Sequence, residues 1–140
     1  MEQTDRRIVD LLRADGRMSF TDLGKQLGLS TSAVHQRVRR LEERGVLAGY
    51  AARVDHVALG NALTAFMSIT PLDPAAPDDV PDRLRGIPEI EECHSVAGDM
   101  SYVLKVRVAS PVALEELIAK VRAAANVSTR TTIVLSTPWE

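Results

Sequence analysis

The sequence has one cysteine and three histidines in 140 residues, and that scarcity excludes much chemistry. With Cys93 alone, neither an intrachain disulfide nor a cysteine-based zinc site is possible, and Cys93 itself reads as a small buried hydrophobe. His35, His56 and His94 lie in three separate segments, which argues against a metal cluster. Cys93 and His94 are neighbours on a predicted strand, where adjacent side chains point to opposite faces, so they cannot form a nucleophile–base pair. No glycine loop of the phosphate-cradling type is present. Enzymatic function is therefore not expected, and neither is a cofactor.

Long apolar runs are also missing: none approaches the roughly 20 residues that span a bilayer. The opening Met1-Glu2-Gln3-Thr4-Asp5 is polar and leads into an amphipathic pattern instead of a signal-peptide core, so a cytoplasmic location and no membrane partner are expected. Hydrophobic residues make up 45% of the chain and charged residues 26%, enough for a packed core. The net charge of −2 is unevenly spread. Residues 1–50 carry nine basic and seven acidic side chains, whereas residues 51–140 carry eight and twelve. The first part is the one suited to a polyanion.

Three helical patterns fill that part. The first spans residues 4–14, with Thr4 as N-cap, Ile8, Leu11 and Leu12 on one stripe, and Gly16 as C-terminal cap. The second opens on Ser19-Phe20-Thr21-Asp22, close to a capping box, and stops at Gly28. The third starts at Ser30 and runs to about Arg44, with Val34, Val38 and Leu41 facing inward. Only Gly28-Leu29-Ser30 separates the last two, which is the signature of a helix-turn-helix. The outward face of the third helix then presents Ser32, His35, Gln36, Arg39 and Arg40, with Arg37 and Arg44 adding charge. Glutamine pairs bidentately with adenine, and arginine with guanine or phosphate. Ser30, Thr31 and Ser32 sit where hydroxyls and free backbone N–H groups grip a phosphate. Double-stranded DNA is the expected partner. The alternative is a small-molecule-binding oligomeric module whose helical domain mediates protein contacts.

Residues 46–54 read as extended, either a wing or a linking strand, and residues 55–60 as a turn. A strand follows in which Leu63, Ala65, Met67 and Ile69 alternate with Thr64, Phe66, Ser68 and Thr70. Next come a loop rich in Pro, Asp and Ala over residues 71–81, a short helix near 80–85, and strands over 90–97 and 102–108 joined by a two-residue Gly98-Asp99 hairpin turn. Ser110-Pro111 opens a helix carrying Leu114, Leu117, Ile118 and Val121, and a β-branched strand covers residues 127–137. This is an α+β chain: a (winged) helix-turn-helix domain over 1–48, a linking hinge over 49–60, and a ferredoxin-like βαββαβ domain over 61–140. Its open sheet face, showing Thr64, Phe66, Ser68, Lys105, Arg107 and Thr132 with Val134, is suited to packing on a second copy.

The whole chain resembles the Lrp/AsnC (feast/famine) family of regulators. The matching stretches are Asp5-Arg6-Arg7-Ile8 through Leu12, Asp15-Gly16-Arg17, Leu27-Gly28-Leu29-Ser30, Val38-Arg39-Arg40-Leu41-Glu42, Gly45-Val46, Leu59-Gly60, Glu92-Cys93-His94, Gly98-Asp99, Tyr102 to Val106, and Thr129 to Ser136. The resemblance implies homodimers assembling further, commonly to octamers, with amino acids as effectors. It places the effector near Ala97, Gly98, Asp99, Met100, Ser101 and Tyr102, with Thr131 as a further hydrogen-bonding group. The family often has an acidic residue where this chain has Ser101, which offers only a neutral hydrogen bond.

Overall fold

The computed structural model describes residues 1–140, and its contacts divide them into two units, Met1–Val54 and Asp55–Glu140. The first unit holds α1 (Gln3–Ala14), α2 (Phe20–Leu27) and α3 (Thr31–Glu43). Helical spacing puts Ile8 and Leu12 of α1, Leu23 of α2, and Val34, Val38 and Leu41 of α3 into one buried cluster. Each such side chain contributes on the order of 1.5–3 kcal/mol by leaving water. The Ser19 hydroxyl accepts the Asp22 N–H at 3.0 Å, and the Ser30 hydroxyl accepts that of Ala33 at 3.2 Å, which fixes both helix starts. Gly28, with φ +69°, ends α2 in the left-handed conformation.

Two expected caps differ. Helix α1 begins at Gln3 after an N-cap Glu2 that makes no side-chain cap bond, so Thr4 lies inside the first turn. At its other end Asp15 is the extended C-cap, and its carboxylate accepts the Arg17 N–H at 2.9 Å. This Asx turn reverses the chain without a left-handed Gly16. No wing forms either: residues 48–54 join no sheet, because a strand needs a paired neighbour and this unit has no other extended segment.

The second unit opens with a turn in which the Asp55 carboxylate accepts the N–H groups of Val57 and Ala58. It continues through β1 (Leu63–Pro71), α4 (Val80–Leu84), β2 (Ile90–Ser95), β3 (Tyr102–Val108), α5 (Pro111–Ala125) and β4 (Val127–Ile133). The strands form one antiparallel sheet in the order β2-β3-β1-β4, the ferredoxin-like arrangement. Met67 lies opposite Leu104 on one side and Thr131 on the other. The inner face carries Ala65, Met67, Ile69, Leu104 and Val106, packed on Leu114, Leu117 and Val121 of α5 and on Val80 and Leu84 of α4. Thr64, Phe66, Ser68, Lys105, Arg107 and Thr132 occupy the other face, where Phe66 is 41% exposed.

Three sequence expectations change here. Strand β2 ends at Ser95, and residues 96–101 form a six-residue loop instead of a two-residue turn. A type I′ turn needs positive φ at both central residues, and only Gly98 has it. The Ser101 N–H is also drawn to Ile69 O of β1 at 3.0 Å. Strand β4 ends at Ile133; Val134 still donates its N–H to Thr64 O at 2.9 Å, but no rung follows to Leu63, the first residue of β1. Cys93 is exposed, since β2 is an edge strand and its inner side lies only partly under the short α4. Partial burial still pushes its thiol pKa up.

Candidate nucleic-acid interface and effector loop

Burial of Val34, Val38 and Leu41 fixes which side of α3 faces out. Ser32, His35, Gln36, Arg39 and Arg40 are all exposed on it. The Phe20 ring lies 5.5 Å from that of His35 and steadies it. Arg39 meets only Glu43, at 2.9 Å and in full view of solvent, a contact weak enough to yield to a nucleic acid. At the start of the helix the N–H groups of Thr31 and Ser32 have no partner in the protein, while the Ser30 hydroxyl lies 3.2 Å from that of Ser32. Free donors at a helix N-terminus suit a phosphate oxygen. Thr21, at the start of α2, brings its hydroxyl to 3.4 Å from that of Thr31, an addition that the helical pattern of α2 did not signal.

Arg37 does not join this row. Its guanidinium donates to Glu2 and Asp5, each at 2.8 Å, and its side chain is 24% exposed. The two carboxylates raise its pKa further, Glu2 foremost. Arg37 thus ties α3 to the start of α1. Sequence reasoning also passed over Gly24. A Cβ there would meet the Leu29 carbonyl oxygen at 2.5 Å, and the Leu29 N–H donates back to Gly24 O at 2.9 Å. The close turn between α2 and α3 depends on that missing side chain. A glycine in mid-helix was the available signal.

In the second unit, loop 96–101 borders an open cavity of about 460 Å³. Gly98, Met100, Ser101 and Tyr102 line it; Ala97 and Asp99 are exposed on the same loop but are not part of the wall. Facing them is the proline-rich segment after β1, which contributes Asp73 and Asp78. The buried Tyr102 hydroxyl donates to the Asp78 carboxylate in a short hydrogen bond, which together with burial raises the phenol pKa to about 12. Thr70 donates to the Met100 sulfur at 3.5 Å. Thr131 lies elsewhere, opposite Met67 on β4, and does not line the cavity. No helix is long and apolar enough to cross a membrane.

Comparison with known proteins agrees with both halves. Residues 1–42 match the AsnC-type helix-turn-helix domain, and residues 64–140 the Lrp/AsnC ligand-binding domain. The HTH-type transcriptional regulator LrpA of Mycobacterium tuberculosis is 56% identical over 98% of this chain and 91% of its own. The leucine-responsive regulatory protein of Escherichia coli K12 is 38% identical over 86% of this chain and 74% of its own. Among solved structures, a feast or famine regulatory protein of M. tuberculosis, complexed with L-methionine, superposes with a TM-score of 0.97 at 55% identity, covering 99% of this chain and 95% of that one. LrpC of Bacillus subtilis gives 0.88 at 31% identity, with 98% and 96% covered. With an AsnC-type helix-turn-helix in one unit and a ligand-binding fold in the other, the chain belongs to the Lrp/AsnC family of transcriptional regulators, proteins that act by binding DNA and a ligand and are not enzymes.

Proposed function

We propose that the chain works as a homodimer, assembled further to an octamer or similar, that reads paired operator half-sites through α3 and is modulated by a free amino acid at loop 96–101. The observation that carries the reading is the exposed row Ser32, His35, Gln36, Arg39 and Arg40, opposite a fully buried stripe on the same helix. Such a row fits the major groove, and its DNA lies in the cytoplasm. Residues 49–60 serve as the joint between the two activities. The outer sheet face, centred on Phe66, supplies the surface for a second copy.

For the effector, the M. tuberculosis neighbour complexed with L-methionine supports an amino acid, and the loop has suitable donors. The N–H groups of Gly98 and Met100, both in the cavity wall, make no hydrogen bond within the protein and are available to a carboxylate. Ser101 adds a hydroxyl, and Gly98 at φ +142° leaves the backbone open to close approach. Thr131 takes part only if a neighbouring copy brings it.

Selection of bound sequences from random DNA, followed by gel shifts over a salt series, tests the DNA half. The pool should converge on an inverted repeat, with affinity falling linearly in log salt. A pool that stays random overturns sequence-specific reading. Thermal shifts with each of the twenty amino acids test the effector half, since a ligand at 100 times its Kd adds about 2.7 kcal/mol.

A further inference from the structure

Resting on the amino-acid reading above, we propose that Asp78 receives the effector's ammonium group, so that the proline-rich segment and loop 96–101 together form the amino-acid site. The wall of the 460 Å³ cavity contains Asp73 and Asp78 but no lysine, arginine or histidine. Its field therefore favours a ligand carrying a cationic group. The two acids are not equivalent. One Asp73 oxygen already accepts the Ala75 N–H at 2.9 Å and shapes its own turn. Asp99, the acid on the hairpin loop itself, is not part of the wall.

Asp78 has no cationic partner. Asp79 pairs with Arg83 and Asp82 with Arg85, but Asp78 meets only the neutral Tyr102 hydroxyl. That phenol orients the carboxylate without neutralising it. With its pKa at about 12, Tyr102 stays protonated and remains a donor throughout the working range. A carboxylate has roughly four lone-pair sites, and one is used here, so an ammonium group finds acceptors in a fixed position. Ser101, which cannot supply a charge, is the immediate neighbour of Tyr102, so the acid comes from a different segment of the same chain. Pro71, Pro74, Pro77, Val96 and Met100 supply apolar surface to the wall, beside the hydroxyls of Thr70, Ser95 and Ser101. The ligand class is thus a free α-amino acid.

The test uses the full-length chain, isothermal titration, and two probes: L-methionine and its 2-hydroxy analogue, in which a hydroxyl replaces the ammonium. In Asp78→Asn, affinity for L-methionine should fall by about tenfold or more, while any binding of the hydroxy acid is unchanged. Asp82→Asn, an exposed acid outside the cavity wall, should bind L-methionine as the unmodified chain does. Tyr102→Phe leaves the charge in place and should keep the preference for the ammonium-bearing probe while weakening both; this variant tests the assignment even if Asp78→Asn fails to fold. Asp78→Asn binding L-methionine at full strength, or losing both probes equally, overturns the assignment and leaves the effector reading standing. So does a Tyr102→Phe chain that no longer prefers the ammonium-bearing probe. If the unmodified chain binds none of the twenty amino acids, the effector reading fails and this assignment with it.

Discussion

Arg37 and Arg39 lie two positions apart on α3 and have opposite fates. Arg37 points at α1 and is held by two carboxylates, whereas Arg39 points outward with one solvent-exposed partner. Composition alone treats them alike, since which arginine faces α1 depends on where the Glu2 and Asp5 carboxylates lie. Arg39→Ala and Gln36→Ala should each weaken operator binding by about 1–3 kcal/mol and relax base preference at one position, measured by competition gel shifts. Arg37→Ala should lower the unfolding midpoint in urea while leaving base preference as it was. Gly24 gives a second residue-level prediction. Alanine normally stabilises a helix by about 1 kcal/mol over glycine. Here the added Cβ would stand 2.5 Å from the Leu29 carbonyl, and crowding of a backbone atom costs on the order of 1–3 kcal/mol. Gly24→Ala should therefore be destabilising in urea titration; a stabilised variant would show that the turn can relax.

Among the elements, those with both a stripe and a cap were legible in the sequence. Ser110-Pro111 marks the start of α5 to the residue, because the Ser110 hydroxyl accepts the Ala113 N–H at 3.1 Å and Pro111 needs no donor. Ser110→Ala should cost about 1 kcal/mol in unfolding free energy. Where an element's end depends on a partner, the sequence pattern overran. The β-branched pattern continues past Ile133, but after the Val134 N–H to Thr64 O bond no further rung to β1 forms. The β2–β3 connection contains Gly98-Asp99, yet only Gly98 has a positive φ, and the connection closes instead as a longer loop spanned by the Val96 N–H to Ser101 O bond. The exposure of Cys93 has a related cause, since edge position follows from strand order and not from the local pattern. The Asp78–Tyr102 contact is not legible in the sequence, because its partners lie 24 residues apart.

The edge strand also carries a pH prediction. Glu92 sits 2.8 Å from His94 and 3.8 Å from Lys105. The hydrogen bond with His94, then the Lys105 charge, hold its carboxyl pKa below the usual range despite some opposing desolvation. A group with a depressed folded pKa contributes stability above its unfolded pKa and loses it as pH falls through the folded value. With its side chain 48% exposed, the contribution of Glu92 is small after solvent screening. The stability gap between the unmodified chain and Glu92→Gln should narrow as pH drops below about 4, in melts monitored by circular dichroism.

At the scale of the whole molecule, charge and fold divide the labour. The first fifty residues carry two more basic than acidic side chains, and the remainder carries four more acidic than basic. One unit thus suits a polyanion and the other does not compete for it. In the proposed function a single α3 would contact only a few base pairs, and discrimination would come from two copies held in fixed relation. Phe66, large, apolar and 41% exposed at the centre of the open sheet face, is the candidate anchor for that pairing. Phe66→Asp should shift the assembly toward smaller species in sedimentation without unfolding it. Two such copies related by a twofold axis would meet half-sites on one face of the duplex, about one helical turn (~34 Å) or a multiple apart. Inserting about five base pairs between the half-sites turns one of them to the far side and should abolish paired binding. Inserting about ten, a full turn, should restore most of it. In gel shifts the unmodified chain should follow this phase, whereas Phe66→Asp should bind weakly and equally at every spacing. Equal affinity of the unmodified chain at all spacings would mean that its copies read DNA independently, and the paired half-site model would then fail.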